Sequence, residues 1–182
     1  MIAAVGTARA DCATEAAELR HQLAIESHRA HRWNGSWGVA FAAASIGQLA
    51  LAVGNVGNTD QHEAFYVGAA KAGLGAASHL VVPLAIDVPA AVDDPCADRT
   101  ALEGALAVAK KKERSIFYLG HFGALAVNLA GVIVLAERRS LLVGLESFAV
   151  GYPVGLLSIY TAPRAAWHLT VTPSGVALAG EW

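Results

Sequence analysis

Two ionisable residues interrupt one apolar run of this chain, the stretch KAGLGAASHLVVPLAID at 71–87. Lys71 opens it and His79 sits in its middle. Two further apolar runs carry His121 and Glu146. An ionisable side chain inside such a run is costly in lipid, so each is a candidate for function. Lys71 lies about six residues in from the start of the run 65–86, and Glu146 about six in from the start of 141–162. At about 1.5 Å per helical residue the two are level. A lone ammonium and a lone carboxylate at one depth in low dielectric are expected to pair. Such an intramembrane pair would suit gating or proton-linked transport. The alternative is that each side chain snorkels to the interface.

His79 and His121 are also level, about eight and six residues from the opposite ends of their runs. Two facing imidazoles in a helical bundle could ligate the iron of a haem b axially, or bind a metal. No third ligand lies at that depth, and hydrogen bonds to a carbonyl or a hydroxyl, such as Ser78 or Tyr118, are the plainer use of such histidines. No cofactor is expected, with haem b as the alternative. Cys12 and Cys96 have neither CxxC nor zinc-type spacing. They fall on one side of any membrane arrangement and would form a disulfide in an oxidising compartment. There is no P-loop, no G-x-S-x-G, no H-E-x-x-H and no pair of close carboxylates, so the reading leans away from an enzyme.

The elements that must position these residues follow from composition. Of 182 residues, 55% are hydrophobic and 15% charged, against about 25% charged in soluble domains. Mean hydropathy is +0.45. A net charge of -2 gives no global bias toward nucleic acid. Four segments reach the roughly 20 apolar residues of a membrane span, at about 33–53, 65–86, 115–136 and 141–162. The expected fold is an all-α, four-transmembrane-helix bundle over 11–163. Amphipathic helical extensions precede the first and third spans on one face. Thr100 and Glu103 form a T-x-x-E capping box that predicts a helix start at 101. The tail 164–182 alternates around Pro173-Ser174-Gly175 and suits a short β-hairpin.

The halves resemble each other. Leu19, Leu23 and Ala24 match Leu102, Leu106 and Ala107, and Val67, Gly68 and Gly75 match Val143, Gly144 and Gly151. Two repeated helical hairpins are the corresponding expectation. Gly68 and Gly75 on the second span, with Gly151 and Gly155 on the fourth, offer close-packing faces within the bundle or toward a partner. Trp33, Trp37 and Trp167 lie near span ends, as interfacial anchors do.

With four spans, the termini and the long connector share one face. Ten Lys and Arg residues lie on it, against Arg138 and Arg139 on the other. That imbalance favours a cytoplasmic first face. Ala8-Arg9-Ala10 before Asp11 has the small-residue pattern of a signal-peptidase site, with 1–10 as the stump of a leader. That pattern and the two cysteines favour a periplasmic first face in a bacterial inner membrane. The expected function is a non-enzymatic scaffold or a subunit of an envelope or transport assembly. A small transporter using Lys71 and Glu146, and a haem protein using His79 and His121, are the other two classes.

Overall fold

Four helices account for most of the described residues: α1 (Ile2–Val53), α2 (Thr59–Val81), α3 (Pro95–Arg138) and α4 (Leu141–Tyr160). The computed structural model describes residues 2–54, 56–163, 167–172 and 175–180, with side chains for 10–54 and 56–163. In the tail, β1 (Trp167–Thr172) pairs antiparallel with β2 (Gly175–Gly180), Trp167 opposite Gly180 and Thr172 opposite Gly175. Pro173 and Ser174 of the expected turn lie outside the described residues, as does the side chain of Trp167. Three helices, α1, α3 and α4, are long and apolar enough to cross a membrane.

The second of the four expected spans differs from expectation. Its helix stops at Val81 instead of reaching 86, because Pro83 disfavours helical geometry at Val82 and cannot donate a backbone hydrogen bond. Lys71 and His79 lower its apolarity, and α2 is not among the three span candidates. Its start is well defined. Asn58 caps the helix in a reciprocal box with Gln61, just after Gly57 at φ 90°. The third helix also starts earlier than its T-x-x-E motif suggests. It begins at Pro95, whose fixed φ suits the first helical position. Thr100 is then internal and donates its hydroxyl to the Cys96 carbonyl, while Glu103 pairs with Arg99.

The chain divides into two compact units, Met1–His31, Ala85–Ser115 and Pro163–Trp182 in one, Arg32–Leu84 and Ile116–Ala162 in the other. In the first, α1 and α3 run parallel. Cys12 and Cys96 are separated by 84 residues, and so are Glu15 and Arg99, which form an ion pair at 2.7 Å. Cys12, Ala16, Leu23, Glu26 and Ala30 are buried at heptad-like intervals along α1, and Asp98, Leu102 and Ala109 along α3. Arg20 reaches both the Asp98 carboxylate, at 2.7 Å, and the Pro89 carbonyl. The Val92 amide donates to the same carboxylate at 3.1 Å. The hydrogen bond from Arg20 is the main reason the Asp98 carboxyl is held below its ordinary pKa.

The second unit is built from two antiparallel helical hairpins. Between α1 and α2, Phe41 covers Gly75, Gln48 covers Gly68, and Ser45 donates to the Ala69 carbonyl at 2.8 Å. Between α3 and α4, Gly120 faces Ile159, Gly155 faces Ala124 and Gly144 faces Val132. The glycines singled out as packing faces, Gly68, Gly75, Gly151 and Gly155, each look onto a helix of this same chain. Gly144 is the tightest against main chain. A β-carbon there would lie 2.8 Å from the Val132 carbonyl oxygen and 3.1 Å from its Cα. Backbone cannot swing aside, so Gly144→Ala should wedge the hairpin open and destabilise by about 1 to 2 kcal/mol. Unfolding in mixed SDS and mild-detergent micelles measures this. Gly123→Ala, where nothing lies within 4 Å, is the neutral control.

Candidate functional site

Lys71 is the centre of the only ammonium site among the described residues of the second unit. Its amine, half-buried on α2, donates to three acceptors. These are Asn128 Oδ1 on α3 at 3.1 Å, and Ser147 O and Ser147 Oγ on α4 at 3.0 and 2.8 Å. An ammonium has three N–H bonds, so the set is complete. Asn128 is itself buried and fixed by donating Nδ2 to the Ala124 carbonyl at 2.8 Å. Two glycines make room. A β-carbon at Gly151 would collide with Asn128 Oδ1 and lie 2.9 Å from Lys71 Nζ. One at Gly131 would lie 3.1 Å from Lys71 Cδ. Small residues on α3 and α4 thus let a long side chain from α2 pass between helices.

Glu146 is not part of this cage. It is exposed, and among the described residues no ion pair joins it to Lys71. The expected pair fails for a geometric reason. The depth estimate is right to within one residue, since Lys71 is bound by Ser147. Successive helical residues are rotated by about 100°, however, and that rotation turns Ser147 inward and Glu146 away. Ser147 and Gly151, four residues apart, lie on one face of α4 and both meet Lys71.

The histidines have separate surroundings. His79 is buried, its ring edge-on to Trp33 at 4.7 Å and stacked near Phe41 at 5.8 Å. His121 Nδ1 lies 2.8 Å from the Phe117 carbonyl, and a carbonyl only accepts, so Nδ1 carries the proton. Nε2 lies 3.4 Å from the Tyr160 hydroxyl. An iron at His121 Nε2 would have to displace that hydroxyl. His121 thus meets a carbonyl and a hydroxyl as expected, though the hydroxyl is that of Tyr160 and not of Tyr118, while Ser78 donates to the Gly75 carbonyl. No group of three or more His, Cys, Asp or Glu side chains with metal-binding geometry occurs among the described residues.

Several polar residues do work that the pattern of ionisable groups did not mark. Asn34 holds the backbone of Leu84 from both sides, donating to its carbonyl at 2.8 Å and accepting from its amide at 3.1 Å. The irregular chain after Pro83 thereby keeps its main-chain groups paired. Trp33 donates to the Ser158 carbonyl at 3.0 Å and Trp37 to the Thr161 hydroxyl at 2.9 Å, joining the first part of the apolar stretch of α1 to the end of α4. Cys12 and Cys96 lie at bonding distance, S–S 2.10 Å, with Cα atoms 5.0 Å apart. Comparison with models of known families, with characterised proteins and with solved structures finds no match to this chain.

Proposed function

We propose that this chain is a polytopic membrane protein without catalysis of its own, serving as a scaffold or as a subunit of an envelope or transport assembly. The observation that carries the reading is the use made of Lys71. All three of its N–H bonds go to acceptors on α3 and α4, which leaves no donor for a passing solute. The side chain serves as a cross-brace between three helices. Membrane residence is supported by the three apolar helices and by large apolar side chains turned outward on all four. Leu80 is 79% exposed, Val150 72%, and Val39 and Phe122 70% each. A bacterial inner membrane with the termini on its periplasmic side is the placement we favour. Its support is the closeness of Cys12 to Cys96. We read the two hairpins as copies of one unit. In support, the matched glycines Gly68 and Gly144, and Gly75 and Gly151, each face the first helix of their own hairpin.

Reconstitution into phosphatidylcholine vesicles with an enclosed pH-sensitive dye tests the scaffold against the transporter. Under an imposed potassium diffusion potential, proton leak should match that of protein-free vesicles. A flux that disappears in Lys71→Met would replace the scaffold with a small transporter. Recovery of a monodisperse protein without detergent would end both readings.

A further inference from the structure

The first unit separates its charges along the helix axes. Its distal part carries Asp11, Glu15, Glu18, Asp93, Asp94, Asp98 and Glu103, with Arg20 and Arg99 paired among them. The turns nearest the apolar stretches carry Arg29 on α1 and Lys110, Lys111, Lys112 and Arg114 on α3, with His28 and His31 beside them. Glu26, Glu113 and Asp87 are the acidic residues near that zone; Glu26 is buried against Arg29 at 2.8 Å, Glu113 is half-buried, and Asp87 is exposed on the chain that leads to Pro89. Lys111 and Arg114 are exposed, and no carboxylate pairs with either among the described residues. The parallel register brings the two basic segments to one level, because the offset of 84 residues seen at Cys12–Cys96 and Glu15–Arg99 sets Arg29 opposite 113. The residues that follow on each helix, from Trp33 and from Ile116, are apolar.

We propose that this level is a basic collar that binds the headgroups of anionic phospholipids. Desolvating an exposed ammonium or guanidinium in an apolar setting is costly, whereas a phosphodiester at the headgroup level supplies both charge and acceptors. The acidic residues further along the same helices would be repelled from that surface. Lipid binding also gives the basic residues a role on a periplasmic face, where the positive-inside tendency gives them none. The inference rests on membrane residence.

The test uses the full chain in a neutral detergent, titrated with dihexanoyl-phosphatidylglycerol and followed by thermal midpoint. Dihexanoyl-phosphatidylcholine, inorganic phosphate and a DNA oligonucleotide are run alongside. Phosphatidylglycerol should raise the midpoint, the other three should not, and affinity should fall as sodium chloride is raised. Lys111→Gln with Arg114→Gln should weaken phosphatidylglycerol binding roughly thirtyfold, since each basic group at an anionic surface contributes about fivefold. Both positions are exposed, so the variant should fold, and the salt dependence of the unaltered protein is independent of it. Equal shifts from phosphatidylcholine, phosphate or DNA would overturn the collar, as would a variant that binds as tightly as the parent. Such a failure in a detergent-dependent protein leaves membrane residence intact; solubility without detergent removes both.

Discussion

Removing both side-chain acceptors of Lys71, by Asn128→Leu with Ser147→Ala, should lower stability in detergent by about 3 kcal/mol. Hydrogen bonds to a charged group contribute about 1.5–3 kcal/mol each, more than neutral side-chain bonds between membrane helices, which average about 0.6. The variant keeps the ammonium but leaves it the Ser147 carbonyl alone. Adding Lys71→Met to the same background should restore most of the loss, because no charge is then left in need of partners. Glu146→Leu should stay within about 0.5 kcal/mol of the parent, as for an exposed residue outside the cage. Equilibrium unfolding in mixed micelles gives all four values. A Glu146→Leu variant as damaged as the acceptor-less one would restore the ion pair and dismiss the cage.

The larger effect is expected at the cysteines. A bridge between Cys12 and Cys96, 84 residues apart, closes a loop to which the chain-entropy model assigns about 4.5 kcal/mol of destabilisation of the unfolded state. Reduction, or Cys12→Ser, should therefore lower the thermal midpoint by roughly 10 °C in a chain of this size. The helices of the first unit should loosen first, since the bridge joins them near the beginning of their parallel register. Alkylation with a membrane-impermeant maleimide should label neither thiol until a reductant is added. Labelling of both beforehand, or a midpoint indifferent to reductant, would show that the thiols lie close without being joined.

How much was legible in the sequence depends on which coordinate a residue reports. Apolar length locates three membrane-compatible helices, because length and hydropathy are properties of a segment alone. Depth was legible too: counting from the ends of the apolar runs puts Lys71 within one residue of its partner Ser147 on α4. Azimuth was not, because in a run as uniformly apolar as LLVGLESFAVGYPVGLLSIY no polar stripe shows which side turns inward. The glycines hold that information: Gly144 and Gly151 fix the inward face of α4, and Ser147 lies between them. The capping motif at Thr100 misplaced the start of α3 because a proline five residues earlier already offers helical φ. The partners of Asn34 were out of reach for a different reason, since it binds main chain 50 residues away and main chain carries no sequence signature.

The cage around Lys71 satisfies its hydrogen bonds with neutral oxygens, and neutral oxygens do not cancel a charge. So long as the amine is protonated, the apolar unit holds a fixed positive potential without a counter-ion among the atoms that touch it. At an effective dielectric constant of about 20, a monovalent cation brought within about 8 Å meets a barrier of about 2 kcal/mol, and an anion an equal well. Any solute that did pass close to these helices would therefore be selected by sign before size. The brace that fixes three helices thus also gives the interior of the second unit a sign, about thirtyfold against a monovalent cation at that distance.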